Sequence, residues 1–124
     1  DLDLLAGAYV APDSGGQYFR NRNIKGHKSI IVRVEGLGAG KTNRDGVGVR
    51  VEATVNGKLI LRERYGAHGT GVQDSPWLHI GLGKAPSTDL KVSFPASGEV
   101  ITIPDVKAGS KIHVKEDGTI TTLE

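Results

Sequence analysis

A chain of 124 residues holds a single core and leaves no room for a second independent domain. Its 16 basic and 14 acidic residues nearly balance at a net charge of +2, without the basic stripe that would mark a nucleic-acid partner. Cysteine is absent, which excludes disulfides, thiolate metal sites and cysteine nucleophiles, and nothing approaches the ~20 apolar residues needed to span a bilayer.

The chain opens on an alternating segment, with Leu2, Leu4, Ala6, Ala8 and Val10 on one face and Asp1, Asp3, Leu5, Gly7 and Tyr9 on the other. An apolar strand of this kind needs a cover, supplied by its own domain or by the edge of another molecule. Methionine is absent even at position 1, as expected of a processed product or a piece of a longer protein. The five apolar residues are therefore expected to form an assembly strand joining neighbouring copies. A head-to-tail contact of that sort need not close, and it propagates into a filament. Folding of the strand onto its own domain is the alternative.

Beyond the linker Pro12-Asp-Ser-Gly-Gly16, 18 glycines punctuate short runs of alternating polarity, and no stretch repeats its apolar residues at helical spacing. Strands are expected over Ser29 to Glu35 and over Val47 to Val55, where Val47, Val49, Val51, Ala53 and Val55 share a face. Asn56-Gly57 then predicts a type I′ hairpin returning through Leu59, Leu61 and Arg62, and Asp117-Gly118 predicts another between Ile112 to Lys115 and Thr119 to Leu123. Trp77 to Ile80, Leu90 to Phe94 and Val100 to Ile103 supply further strands, while Pro86, Pro95 and Pro104 are placed at or beyond strand ends. The fold class is all-β, a single antiparallel sandwich, barrel-like, of roughly eight to ten short strands.

Gly36-Leu-Gly-Ala-Gly-Lys-Thr42 has the flavour of a phosphate loop, but that motif needs glycine five positions before Gly40 and finds Glu35. The following strand also takes the place of the helix whose amides would hold phosphate. A glycine-rich connection between strands is the expected reading. Asn43-Arg44-Asp45-Gly46 is expected to be a local turn, with Arg44 and Asp45 as a polar ligand surface in the alternative reading. His27, His68, His79 and His113 share no compact metal-ligand spacing, so no metal site is expected. Of these, His113 is expected to be solvated, His79 to hydrogen-bond within the sandwich, and His68 to be the functional candidate. Trp77, the sole tryptophan, is expected to anchor the core. Its alternative role is stacking on a sugar while His68 and Asp74 hold hydroxyls, which would make Gly66 to Trp77 a carbohydrate-binding loop. No nucleophile stands beside a base and an orienting acid, and no carboxylate pair stands out for acid and base work, so the chain is expected not to be an enzyme.

Lys41-Thr-Asn-Arg-Asp-Gly-Val-Gly-Val-Arg-Val51 and Trp77-Leu-His-Ile-Gly-Leu-Gly83 resemble the signature blocks of the ASPIC/UnbV domain, a small all-β module. Asp1-Leu-Asp-Leu-Leu-Ala-Gly-Ala-Tyr9 with Gly15-Gly-Gln-Tyr-Phe-Arg-Asn-Arg22 resembles the tail of an FG-GAP repeat. The resemblance implies a leader over 1–22, an ASPIC/UnbV-like sandwich over 24–117 and a last strand of the same domain over 118–124. It also implies an extracellular or cell-surface module with a structural and adhesive role and no catalytic residues to carry over. Other copies of the chain are the expected partners, with glycans as the alternative. No cofactor is expected: calcium takes six to eight oxygens, and Asp1 and Asp3 would bind it only if a longer parent completed their loop.

Overall fold

The computed structural model describes residues 2–7, 15–23, 25–69 and 73–123. Eight strands form two four-stranded sheets that pack face to face. The first sheet contains β3 (Lys28–Glu35), β6 (Trp77–Gly83), β9 (Lys111–Lys115) and β10 (Ile120–Leu123), in the order β10-β9-β3-β6. The second contains β4 (Arg50–Val55), β5 (Lys58–Glu63), β7 (Ser87–Phe94) and β8 (Glu99–Lys107), in the order β5-β4-β7-β8. Neither sheet closes into a barrel, and β3 runs parallel to β9, so the antiparallel expectation fails at that one pair among the described strands.

Period-2 alternation builds the core. Ile30, Val32 and Val34 of β3, Leu78, Ile80 and Leu82 of β6, and Ile112 and Val114 of β9 face Val51 and Ala53 of β4 and Leu90, Val92 and Phe94 of β7. All are buried. Trp77 is not among them; it lies half-buried on the outer face of β6, and Phe94 is the largest fully buried side chain. The expected core anchor is thus misplaced, because Leu78, Ile80 and Leu82 set the inward face and the residue before them must point out.

Asn56 and Gly57 both take positive φ, 50° and 74°, as the type I′ turn between β4 and β5 requires. The second hairpin differs from expectation. Only Gly118 has positive φ there (88°), and Lys115 pairs with Thr119 across three residues rather than two. Glu116 falls in that longer turn. The alternation overran at Val47: Gly46 and Gly48 take φ of 66° and 91°, so β4 begins only at Arg50 and Val47 is exposed, while Val49 keeps its expected place in the core. Pro104 lies inside β8 rather than beyond it. An edge strand tolerates the missing donor, and the register with β7 shifts there, with the Asp105 amide donating to Asp89 Oδ1 at 2.8 Å.

The leader forms a separate two-stranded hairpin, β1 (Leu4–Ala6) against β2 (Gln17–Phe19), with Leu4 opposite Phe19 and Leu5 opposite Tyr18. Asp3 closes it, accepting from the Tyr18 hydroxyl and, at 2.8 Å, from the Asn21 amide. Those two hydrogen bonds, the Tyr18 one foremost, hold the Asp3 carboxyl below the usual range. Of the proposed assembly residues, Leu2, Leu4 and Ala6 are exposed, while Ala8 and Val10, like Asp1, lie outside the described residues.

Candidate functional site

The glycine-rich loop does cradle an anion, and the anion belongs to the protein. Glu116 turns inward from the β9–β10 hairpin and reaches the loop that follows β3. Its Oε2 accepts from the Leu37 amide at 2.9 Å and its Oε1 from the Thr42 hydroxyl at 2.8 Å, while the Thr42 amide approaches both oxygens at 3.1 and 3.2 Å. Glu116 and Thr42 are buried. Burial alone would raise the Glu116 pKa, but hydrogen bonds from Ser97, the Leu37 amide and Thr42 outweigh it and hold the carboxyl at about 2. Gly36 makes this possible, since a Cβ there would lie 2.3 Å from the carbonyl oxygens of Thr42 and Asn43.

The segment after the cradle is clamped by Asn43. Its amide nitrogen donates to the Val47 carbonyl at 2.9 Å and its side-chain oxygen accepts from the Val47 amide at 3.0 Å. Asn23 makes the same two-way clamp with His27, at 2.8 and 2.9 Å, so Asn-X-X-Gly-X is used twice. In both loops the glycine takes positive φ, 62° at Gly26 and 66° at Gly46. Arg44 and Asp45 ride this rigid turn as exposed residues, well removed in the chain from the other candidates.

His68, Asp74 and Trp77 come together in a cleft of about 480 Å³ along the side of the sandwich, beside β5 and β6. Arg44 and Asp45 do not line it. His68 Nδ1 pairs with Asp74, the Tyr65 and His68 rings lie 4.6 Å apart, and Leu2 of the leader contributes a wall. Cations already cover the Trp77 indole, with Lys111 Nζ 4.3 Å and Arg33 5.7 Å from its centroid.

Two cleft residues escaped the sequence reading. Ile60, Arg62 and Arg64 alternate on the inner face of β5 and its continuation, opposite Ala53, Val51 and Val49. Arg62 Nε bridges to the other sheet by donating to the His79 carbonyl at 3.1 Å. Arg64 is 4 % exposed, and its Nε and Nη1 meet no acceptor among the described residues. The period-2 pattern was the available signal, but arginine on a core face reads from sequence as an interruption of the strand.

The other histidines lie apart. His79 is half-buried on the outer face of β6, and desolvation, first among the causes, lowers its pKa. His113 is not solvated as expected: its side chain is 16 % exposed, and its Nε2 lies 3.1 Å from Glu35 Oε2. Among the described residues no three His, Asp or Glu side chains converge as a metal site, and no helix is long and apolar enough to cross a membrane.

Comparison with known proteins places this chain among others. No curated protein matches it. A similar solved structure is a "putative cell adhesion protein" from Bacteroides uniformis ATCC 8492, 11 % identical, with a TM-score of 0.45. That match covers 98 % of this chain, which spans only 64 % of the other. Residues 38–121 match the ASPIC and UnbV family, starting later and ending slightly beyond the 24–117 expected from the signature blocks; the match does not extend to the leader. With more than half of its length so matched, the chain belongs to the ASPIC and UnbV family.

Proposed function

We propose that this chain is a non-catalytic structural and adhesive module of the cell surface or extracellular space, and that its leader hairpin joins it to neighbouring copies. The observation that carries this reading is the exposure of Leu4, Leu5, Tyr18 and Phe19, at 60, 75, 62 and 52 %. A two-stranded hairpin is marginal alone in water, and apolar residues on both of its faces favour a partner surface. Membership of the ASPIC and UnbV family fits an adhesive or structural module. Its expected FG-GAP-like leader belongs to the same proposal.

Light scattering across a concentration series tests the assembly. The intact chain is expected to grow in mass with concentration, and a variant carrying Leu4→Ser and Phe19→Ser to remain monomeric. A wild-type mass that stays monomeric at every concentration refutes self-assembly.

The cleft supports a second reading, retention of glycans, because it places the Tyr65 ring beside His68, Asp74 and Ser75, groups able to bond sugar hydroxyls. Saturable calorimetric binding of a sugar, abolished in His68→Ala, is expected. The absence of any sugar binding sinks it.

A further inference from the structure

We infer that the cleft beside β5 and β6 is a receptor for an acidic sugar, with a hexuronate carboxylate seated against Arg64. This rests on the glycan reading of the same cleft and adds to it the charge that the ligand must carry.

Arg64 is the anomaly that calls for an occupant. Its main chain is fixed at both polar groups, the amide donating to the Val49 carbonyl at 2.9 Å and the carbonyl accepting from the Gly48 amide at 2.8 Å. The side chain therefore cannot be withdrawn from the cleft by a small backbone shift. Burying a guanidinium without an acceptor is unfavourable, and native structures seldom keep such a group unless something binds it. The adjacent acid does not serve. Glu63 points to the opposite face of β5, where its Oε2 accepts from Arg50 Nε at 2.8 Å. Some exposed lysines do find carboxylates, as Lys91 does with Glu52 at 3.4 Å. Arg64 is a buried cation that lines the cleft with Nε and Nη1 left without an acceptor among the described residues.

The chemistry of the rim narrows the class. A planar guanidinium fork matches a carboxylate. Asp74 at the rim adds negative charge, which disfavours a dianion such as a phosphate monoester while offering acceptors to hydroxyl groups. Tyr65 is 45 % exposed and presents an apolar ring face of the kind that packs against sugar C–H groups. One negative charge, several hydroxyls and a flat apolar side together describe a hexuronate better than an acidic peptide. The volume of about 480 Å³ falls within the range of small-ligand sites.

Trp77 lines the same cleft and is the sole tryptophan, so its fluorescence, read beside calorimetry, reports from the site itself. The probes are trigalacturonate, the uncharged galactotriose and an oligoglutamate peptide. Trigalacturonate is expected to bind saturably and at least about tenfold tighter than either comparator, a gap of 1.4 kcal/mol. Arg64→Met is expected to weaken that binding at least about tenfold while melting at or above the wild-type temperature, because an unpaired buried charge has been replaced by an apolar chain. A merely structural arginine gives the opposite, a lower melting temperature with binding unchanged, and that result overturns the proposal. Should Arg64→Met fail to fold, the arginine is structural and the proposal falls; His68→Ala, at an exposed position, then still reports whether sugar binds. Equal binding of galactotriose overturns the charge preference and leaves glycan retention standing. Failure of both sugars removes both readings, and oligoglutamate binding as tight as trigalacturonate overturns the sugar class.

Discussion

Replacing Glu116 tests whether the glycine-rich loop is organised by an internal anion. In Glu116→Gln the charge is lost, and one carboxylate oxygen becomes an NH₂ facing the Leu37 and Thr42 amides, which are themselves donors. Hydrogen bonds to a charged acceptor are worth roughly 1.5–3 kcal/mol each, and they share a single carboxylate here, so a net loss of about 3 kcal/mol is expected. The pKa gives a concordant figure: a fall from 4.5 to about 2 corresponds to roughly 3 kcal/mol of stabilisation at neutral pH. Because the folded-state pKa is depressed, this stabilisation is fully present above pH 4.5 and is lost as pH falls through about 2. Urea unfolding of wild type and Glu116→Gln at a series of pH values reads it directly. The gap between the two proteins should be widest near neutrality and close progressively below pH 4.5. A double-mutant cycle with Thr42→Val should give a coupling of about 1 kcal/mol or more, as groups sharing a hydrogen bond do. A gap below about 0.5 kcal/mol, within the ordinary range for surface changes, or one that does not vary with pH, would refute the cradle.

Three further outcomes follow from local geometry. Gly36→Ala should destabilise by more than about 3 kcal/mol, because its Cβ would press on two backbone oxygens at 2.3 Å; Gly48→Ala, whose Cβ would meet nothing within 4 Å, should lose only ~1–2 kcal/mol to its positive φ. Thermal melts of the pair settle the order, and a Gly36→Ala protein as stable as Gly48→Ala would contradict it. Asn43→Asp keeps the acceptor for the Val47 amide but loses the donor to the Val47 carbonyl, and should cost about 1 kcal/mol in urea unfolding. Phe94→Ala, at a fully buried core position, should cost about 3–5 kcal/mol; a loss below ~1 kcal/mol would mean that the two sheets do not pack there.

The sheet faces were legible wherever alternation ran unbroken, as in Val51, Ala53 and Val55 of β4, because the side-chain period of a strand is set by backbone geometry. The same rule overran the start of β4, since Val47 alternates with Val49 in sequence but stands between two glycines of positive φ that bend the chain. Asn56-Gly57 was readable because a type I′ turn makes a demand that few residues meet. Glu116 was not readable, lying 74 and 79 residues from the amides it holds. Sequence names the glycine-rich loop, and only the fold says which anion fills it. For the cleft, His68, Asp74 and Trp77 were near enough in the chain to be grouped, whereas Arg64 required knowing that β5 lies beside β6.

The two anion-receptive places in this small domain differ in a way that bears on what each is for. At the cradle, amides of Leu37 and Thr42 and the Thr42 hydroxyl converge on a carboxylate supplied by the same chain, and every polar group named there has a partner. Such a site contributes to folding and has no capacity left for a nucleotide, which is why a loop with the flavour of a phosphate motif need not bind one. At the cleft, a guanidinium is equally removed from water, yet no carboxylate among the described residues comes to meet it. A site that holds its own anion is complete in the free protein, whereas one that leaves its cation unmatched gives up stability until something binds. Glu116→Gln should therefore destabilise and leave sugar binding unchanged, while Arg64→Met should do the reverse. Melting temperature and trigalacturonate affinity measured on both variants separate the two roles, and parallel losses in both proteins would show that the cleft and the cradle are one structural unit.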